Sequence, residues 1–107
     1  MPQAVAENPF GAGSICVRIG PHGPIFASFM PEKNRVSFRC ERQQGQAWRA
    51  AFPDAVRYHC PPVQQPYNNT VTLDGSVPEE CLHEMLLHSY ERAKRSMSKA
   101  ARAALGL

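Results

Sequence analysis

The sequence has no apolar run approaching the ~18 residues that a membrane helix needs, and no basic start followed by an apolar stretch of the kind a secretory signal carries. A cytoplasmic protein without a membrane partner is expected. Cysteine is sparse and dispersed: Cys16, Cys40, Cys60 and Cys81 lie 24, 20 and 21 residues apart, so no pair has the gap of roughly two to four residues found in zinc knuckles. Reduced thiols are expected, with no disulfide and no metal site. There is no phosphate-cradling glycine loop, dinucleotide fingerprint, nucleophile elbow or zinc-binding histidine pair. His83 and His88, five apart, fall on different faces of a helix, and Cys81 with His83 fails in the same way. The nearest approach to a nucleophile with a base is Cys60 beside His59. Adjacent residues seldom reach mutual hydrogen-bond geometry, and no third orienting group is identifiable. No enzymatic activity and no cofactor are expected.

What is present suits one domain spanning residues 1–107, with 43% apolar and 20% charged residues. The formal net charge of +3 is unevenly placed. Residues 1–91 hold seven basic and nine acidic side chains, whereas residues 92–107 hold Arg92, Lys94, Arg95, Lys99 and Arg102 and no acid. Such a tail serves either the C-terminal dipole of a helix or a phosphate-bearing partner, and composition leaves both readings open.

Residues 1–14, with Pro2, Pro9, Gly11 and Gly13, read as an irregular opening segment. The β-branched stretch Ser14–Ile19, the turn residues Gly20 to Pro24, and Ile25–Met30 predict a hairpin. Arg35–Cys40 alternates, with Val36, Phe38 and Cys40 on one face and Arg35, Ser37 and Arg39 on a solvent face, and completes a three-strand meander. A short helix is predicted over Glu41–Phe52, carrying Trp48 and Phe52 inward, weakened by Gly45 and ended by Pro53. Four prolines limit residues 53–68 to a loop with at most a short edge strand. A further strand is predicted at about 69–74, ended by Asp74-Gly75. Pro78 with Glu79 and Glu80 then starts a helix over about 78–95, with Ser76 or Val77 at the cap. Its inner stripe is Leu82, Met85, Leu86, Ser89, Tyr90, Ala93 and Met97, its solvated face includes His88, and Glu91 is spaced to pair with Arg95. A short terminal helix follows from about Ser98, ending near Gly106. The fold class is α+β: an antiparallel sheet packed against helices.

Several short motifs agree in order with a known family. Asn69-Thr70-Val71-Thr72-Leu73-Asp74-Gly75-Ser76-Val77-Pro78, then Leu82 and Ser89-Tyr90, resembles the closing signature of the MmcQ/YjbR family. Pro2-Gln3-Ala4-Val5 with Pro9-Phe10-Gly11, Ile25-Phe26-Ala27, Val36 to Cys40 and Phe52 to Arg57 resemble its opening loop, second and third strands and mid-chain turn. The resemblance implies a CyaY-like α+β domain of a small cytoplasmic bacterial protein without an assigned activity, for which DNA binding through a double-wing arrangement has been proposed. There are departures. Met1 falls where the family's first helix would be ending, Asn68 stands where a tryptophan is common, and Pro24, Gln64 and Gln65 replace basic or amide-basic positions. The first predicts an uncovered apolar groove and hence a homodimer or a partner helix.

Two binding readings follow. Arg35 and Arg39 on the strand face, Arg57, and Arg95, Lys99 and Arg102 of the tail would contact DNA. Alternatively, the 57–68 loop would serve a small ligand or protein partner through Tyr58, His59, Tyr67 and Asn68.

Overall fold

The computed structural model describes residues 2–7, 15–58 and 67–107. Strands β1 (Ala4–Glu7), β2 (Ile15–Ile19), β3 (Ile25–Met30), β4 (Arg35–Arg39), β5 (Val56–Tyr58) and β6 (Asn68–Thr72) form one antiparallel sheet in the order β1-β2-β3-β4-β6-β5. Helices α1 (Arg42–Ala51), α2 (Glu79–Ser96) and α3 (Lys99–Ala104) complete the domain. The α+β class, the β2–β3–β4 meander, the strand near 69–74 and the long C-terminal helix followed by a short one agree with the sequence. β4 and β5 both run antiparallel to β6, so they are parallel to each other. α1 supplies the long crossover that parallel strands need, and β6 is inserted between them. β5 is the short edge strand that its flanking prolines permit.

The opening segment is not irregular throughout. Ala4–Glu7 pairs with β2 from Ala4↔Ile19 to Glu7↔Cys16. Four residues carry too little propensity to announce a strand, and the free edge of β2 supplies the ladder.

α1 and α2 cover the sheet face that presents Val36, Phe38, Asn69 and Val71. Between Val17↔Ala27 and Arg18↔Ile25 a β-bulge leaves Phe26 unpaired. Phe26 is buried and meets Tyr90 of α2 edge-on, with ring centroids 5.3 Å apart. The buried Ser89 hydroxyl accepts from the Arg39 backbone N–H at 2.8 Å and donates to the Phe26 carbonyl, fastening α2 across β3 and β4. Met85, Ser89, Tyr90 and Ala93 form the buried stripe of α2, with Leu82, Leu86 and Met97 partly buried.

Two helix details differ from expectation. α2 is capped at Pro78 rather than Ser76 or Val77, because Val77 is buried in the core and the Ser76 N–H donates to Asp74 Oδ1 at 2.9 Å within the preceding turn. His88 is not on a solvated face: its Nε2 accepts from the Glu41 N–H at 2.9 Å, and its ring stands edge-on to Trp48 at 5.2 Å. α3 starts as expected, with Ser98 Oγ accepting from the Ala101 N–H at 3.0 Å.

Candidate functional site

Strand alternation sends Val36 and Phe38 toward the helices and Arg35, Ser37 and Arg39 to the outer face. The register carries this face across the sheet. Ser37 lies opposite Ser28 and Thr70, Thr70 opposite Arg57, Arg35 opposite Met30 and Thr72, and Arg39 opposite Asn68. Arg35, Arg39 and Arg57 therefore share one face, separated by hydroxyl and amide side chains, with no carboxylate on β3, β4, β5 or β6. Arg35 and Arg57 are exposed and Arg39 is half-buried. Ser37, expected in solvent, is buried and shares a hydrogen bond with Thr70 Oγ1 at 3.1 Å, which satisfies its hydroxyl out of water.

β2 and β4 end on the same side of the sheet, and the C-terminal half of α2 reaches that side. There Glu41 bridges two tail cations, with Oε2 2.7 Å from Arg92 and Oε1 2.9 Å from Arg95. The Arg92 hydrogen bond is the main cause holding the Glu41 carboxyl below its ordinary range. Arg95 thus reaches across the fold to Glu41, not along its helix to Glu91 as expected. In α3, Lys99 is exposed, and the half-buried Arg102 keeps its Nε shielded with no hydrogen-bond partner among the described residues. α3 is seated by Leu105. A β-carbon on Gly20 (φ +71°) would stand 2.9 Å from Leu105 Cδ1, so the glycine provides both the left-handed turn and room for the leucine.

The residues of the alternative loop site do not converge. Tyr58 faces the helices, where the Arg49 guanidinium lies over its ring at 4.0 Å, and Arg49 also donates to Asn69 Oδ1 at 2.6 Å. His59 lies outside the described residues. Tyr67 and Asn68 instead join Arg39 and Arg92 around an open, polar cleft of about 270 Å³. The Arg92 guanidinium sits 4.9 Å from the centre of the Tyr67 ring. Arg39 has its pKa lowered, chiefly by burial and then by Arg92.

Sequence reasoning assigned no site role to Arg92 or Glu41. The spacing of Arg92 and Arg95 on one helical face was a signal, but the carboxylate they share is some fifty residues away. A separate apolar groove of about 180 Å³ lies between α2 and the sheet, lined by Phe29, Val36, Leu73, Leu82 and Leu86 among others. Burial pushes the Cys40 thiol up to about 11, which leaves it a packing group rather than a nucleophile. Among the described residues no three His, Cys, Asp or Glu side chains are placed to hold a metal ion, and no helix is long and apolar enough to cross a membrane.

No curated protein matches the chain. Among solved structures, protein DR2400 of Deinococcus radiodurans, described as a DUF419 domain, is 29% identical with a TM-score of 0.87; the match covers 100% of this chain and 80% of that one. A protein from Pseudomonas syringae shares the fold at a TM-score of 0.65 and 14% identity, covering 84% of this chain and 86% of its own. The profile of the YjbR family matches residues 1–92, and with the sheet order and helix placement described above, the chain belongs to the YjbR family.

Proposed function

We propose that this YjbR-family domain is a binding domain without catalytic activity, whose outer sheet face contacts the phosphate backbone of a nucleic acid. The observation that carries the reading is the sharing of one face by Arg35, Arg39 and Arg57 with no carboxylate on β3, β4, β5 or β6. Guanidinium groups suit phosphate oxygens in charge and fork geometry, and no acid on these four strands opposes a phosphate there. The tail supports this surface less than its charge suggests, because Glu41 already engages Arg92 and Arg95.

Duplex binding followed by fluorescence anisotropy at several salt concentrations tests the reading. Each phosphate contact contributes about −0.9 to the log–log salt slope. Joint substitution Arg35→Gln and Arg57→Gln is expected to shallow the slope by about 2, and Arg95→Ala with Lys99→Ala by less. Absent binding, or binding indifferent to salt, would remove the proposal.

A further inference from the structure

We propose that the cleft formed by Arg39, Arg92, Tyr67 and Asn68 at the end of β4 and β6 is a binding site for the phosphate group of a small phosphate ester. The inference does not rest on the nucleic-acid reading.

Arg39 carries the argument. Its guanidinium is half-buried, yet it forms no ion pair with any carboxylate of the described residues. The remaining residues, 1, 8–14 and 59–66, include no Asp or Glu. A cation withdrawn from water is normally matched by an acid or by hydrogen bonds. Here the group lining the same cleft is a second guanidinium, and Arg39 is correspondingly easier to deprotonate than an ordinary arginine, first through burial and then through Arg92. An anion in the cleft offsets both penalties.

Arg92 is preorganised for such a ligand. Glu41 fixes one edge of its fork at 2.7 Å and the Tyr67 ring lies 4.9 Å beneath, so little side-chain entropy is lost when its other N–H groups are used. Glu41 neutralises only part of the charge, since it is shared between Arg92 and Arg95, and Arg92 in turn lies close enough to Arg39 to lower its pKa. Two guanidinium forks around about 270 Å³ match a tetrahedral dianion with several acceptor oxygens better than a planar monoanion.

Inorganic phosphate titrated into the intact protein at low ionic strength, by calorimetry and by ³¹P line broadening, tests the site. Saturable one-site binding is expected, with acetate weaker. Arg39→Gln is expected to lower phosphate affinity roughly tenfold or more, the effect of losing one charge-assisted partner. Arg39→Lys should retain part of the affinity, and Arg57→Gln all of it. AMP, whose terminal phosphate is a dianion, is expected to displace phosphate at far lower phosphate concentration than a duplex lacking terminal phosphates, whose diesters reach Arg39 from the outer face with a single charge each. No saturable binding, or binding undiminished in Arg39→Gln, overturns the site. Displacement by the duplex as effective as by AMP also overturns it, because the cleft is then no more than a part of the nucleic-acid face. Loss of duplex binding in Arg35→Gln/Arg57→Gln with phosphate affinity intact separates the two proposals.

Discussion

A β-carbon built on Gly45 would lie 2.4 Å from the Cys40 sulfur, 3.2 Å from an Arg49 nitrogen and 3.4 Å from Asn69 Nδ2. Helix propensity alone favours alanine there by about 1 kcal/mol, and from sequence this glycine reads as a weakness of α1. Packing reverses the sign. Cys40 and Gly45 are buried, and Asn69 donates to the Gly45 carbonyl at 3.2 Å, so an added methyl group displaces a packed sulfur and stretches a buried hydrogen bond. Overpacking of this kind costs about 1–3 kcal/mol. Gly45→Ala is therefore expected to lower stability by up to about 2 kcal/mol, the overpacking cost less the propensity gain, read as a shift of the urea midpoint at unchanged slope; a stabilised variant would show that the Cys40 side gives way. Arg39 teaches a similar lesson. Alternation in the sequence gives its face, but not that it is half-buried without a carboxylate partner.

At the scale of elements, β2, β3, β4, β6, α1, α2 and α3 are legible in the sequence because each has its own periodicity or punctuation: alternation in β4, Pro78 with two acids before α2, Ser98 before α3. β1 is not legible, since its existence depends on the edge of β2. Helix α3 is only six residues long and too short to persist alone. Its position rests on the Ser98 cap and on Leu105 against Gly20. Ser98→Ala is expected to cost about 1 kcal/mol, and Leu105→Ala about 1–2 kcal/mol, below the range for a fully buried leucine because the side chain is partly exposed. In both variants amide exchange should accelerate in α3 while β3 and β4 stay protected. Equal loss of protection in sheet and helix would mean that α3 is an integral part of the core.

For the whole molecule, the joint of Glu41 with α2 makes stability pH-dependent. His88 is held neutral, its pKa below the ordinary 6.5, first by burial, with Arg95 and Arg92 acting in the same direction and Glu41 opposing. The folded state thus binds fewer protons than the unfolded one. The stabilisation is complete above about 6.5 and is lost as pH falls through the lowered value. Glu41 acts in the same direction at lower pH: its stabilisation is present above the ordinary 4.5 and lost as pH falls through its depressed value. As an exposed ion pair it contributes at most ~1 kcal/mol. Urea midpoints should therefore fall from pH 7.5 to pH 5, and His88→Gln should flatten the part of that fall nearest neutrality; an unchanged slope in the variant would refute the assignment. The sequence by itself determined the α+β class, the meander, the long final helix, the family signature and the acid-free tail, because periodicity, turn chemistry and composition are local properties of the chain. Only the tertiary structure decided that Arg35, Arg39 and Arg57 share a face, that Tyr58 and Tyr67 part company, and that the tail arginines share Glu41. Those outcomes depend on strand register and on contacts between residues some fifty positions apart, which no local pattern encodes.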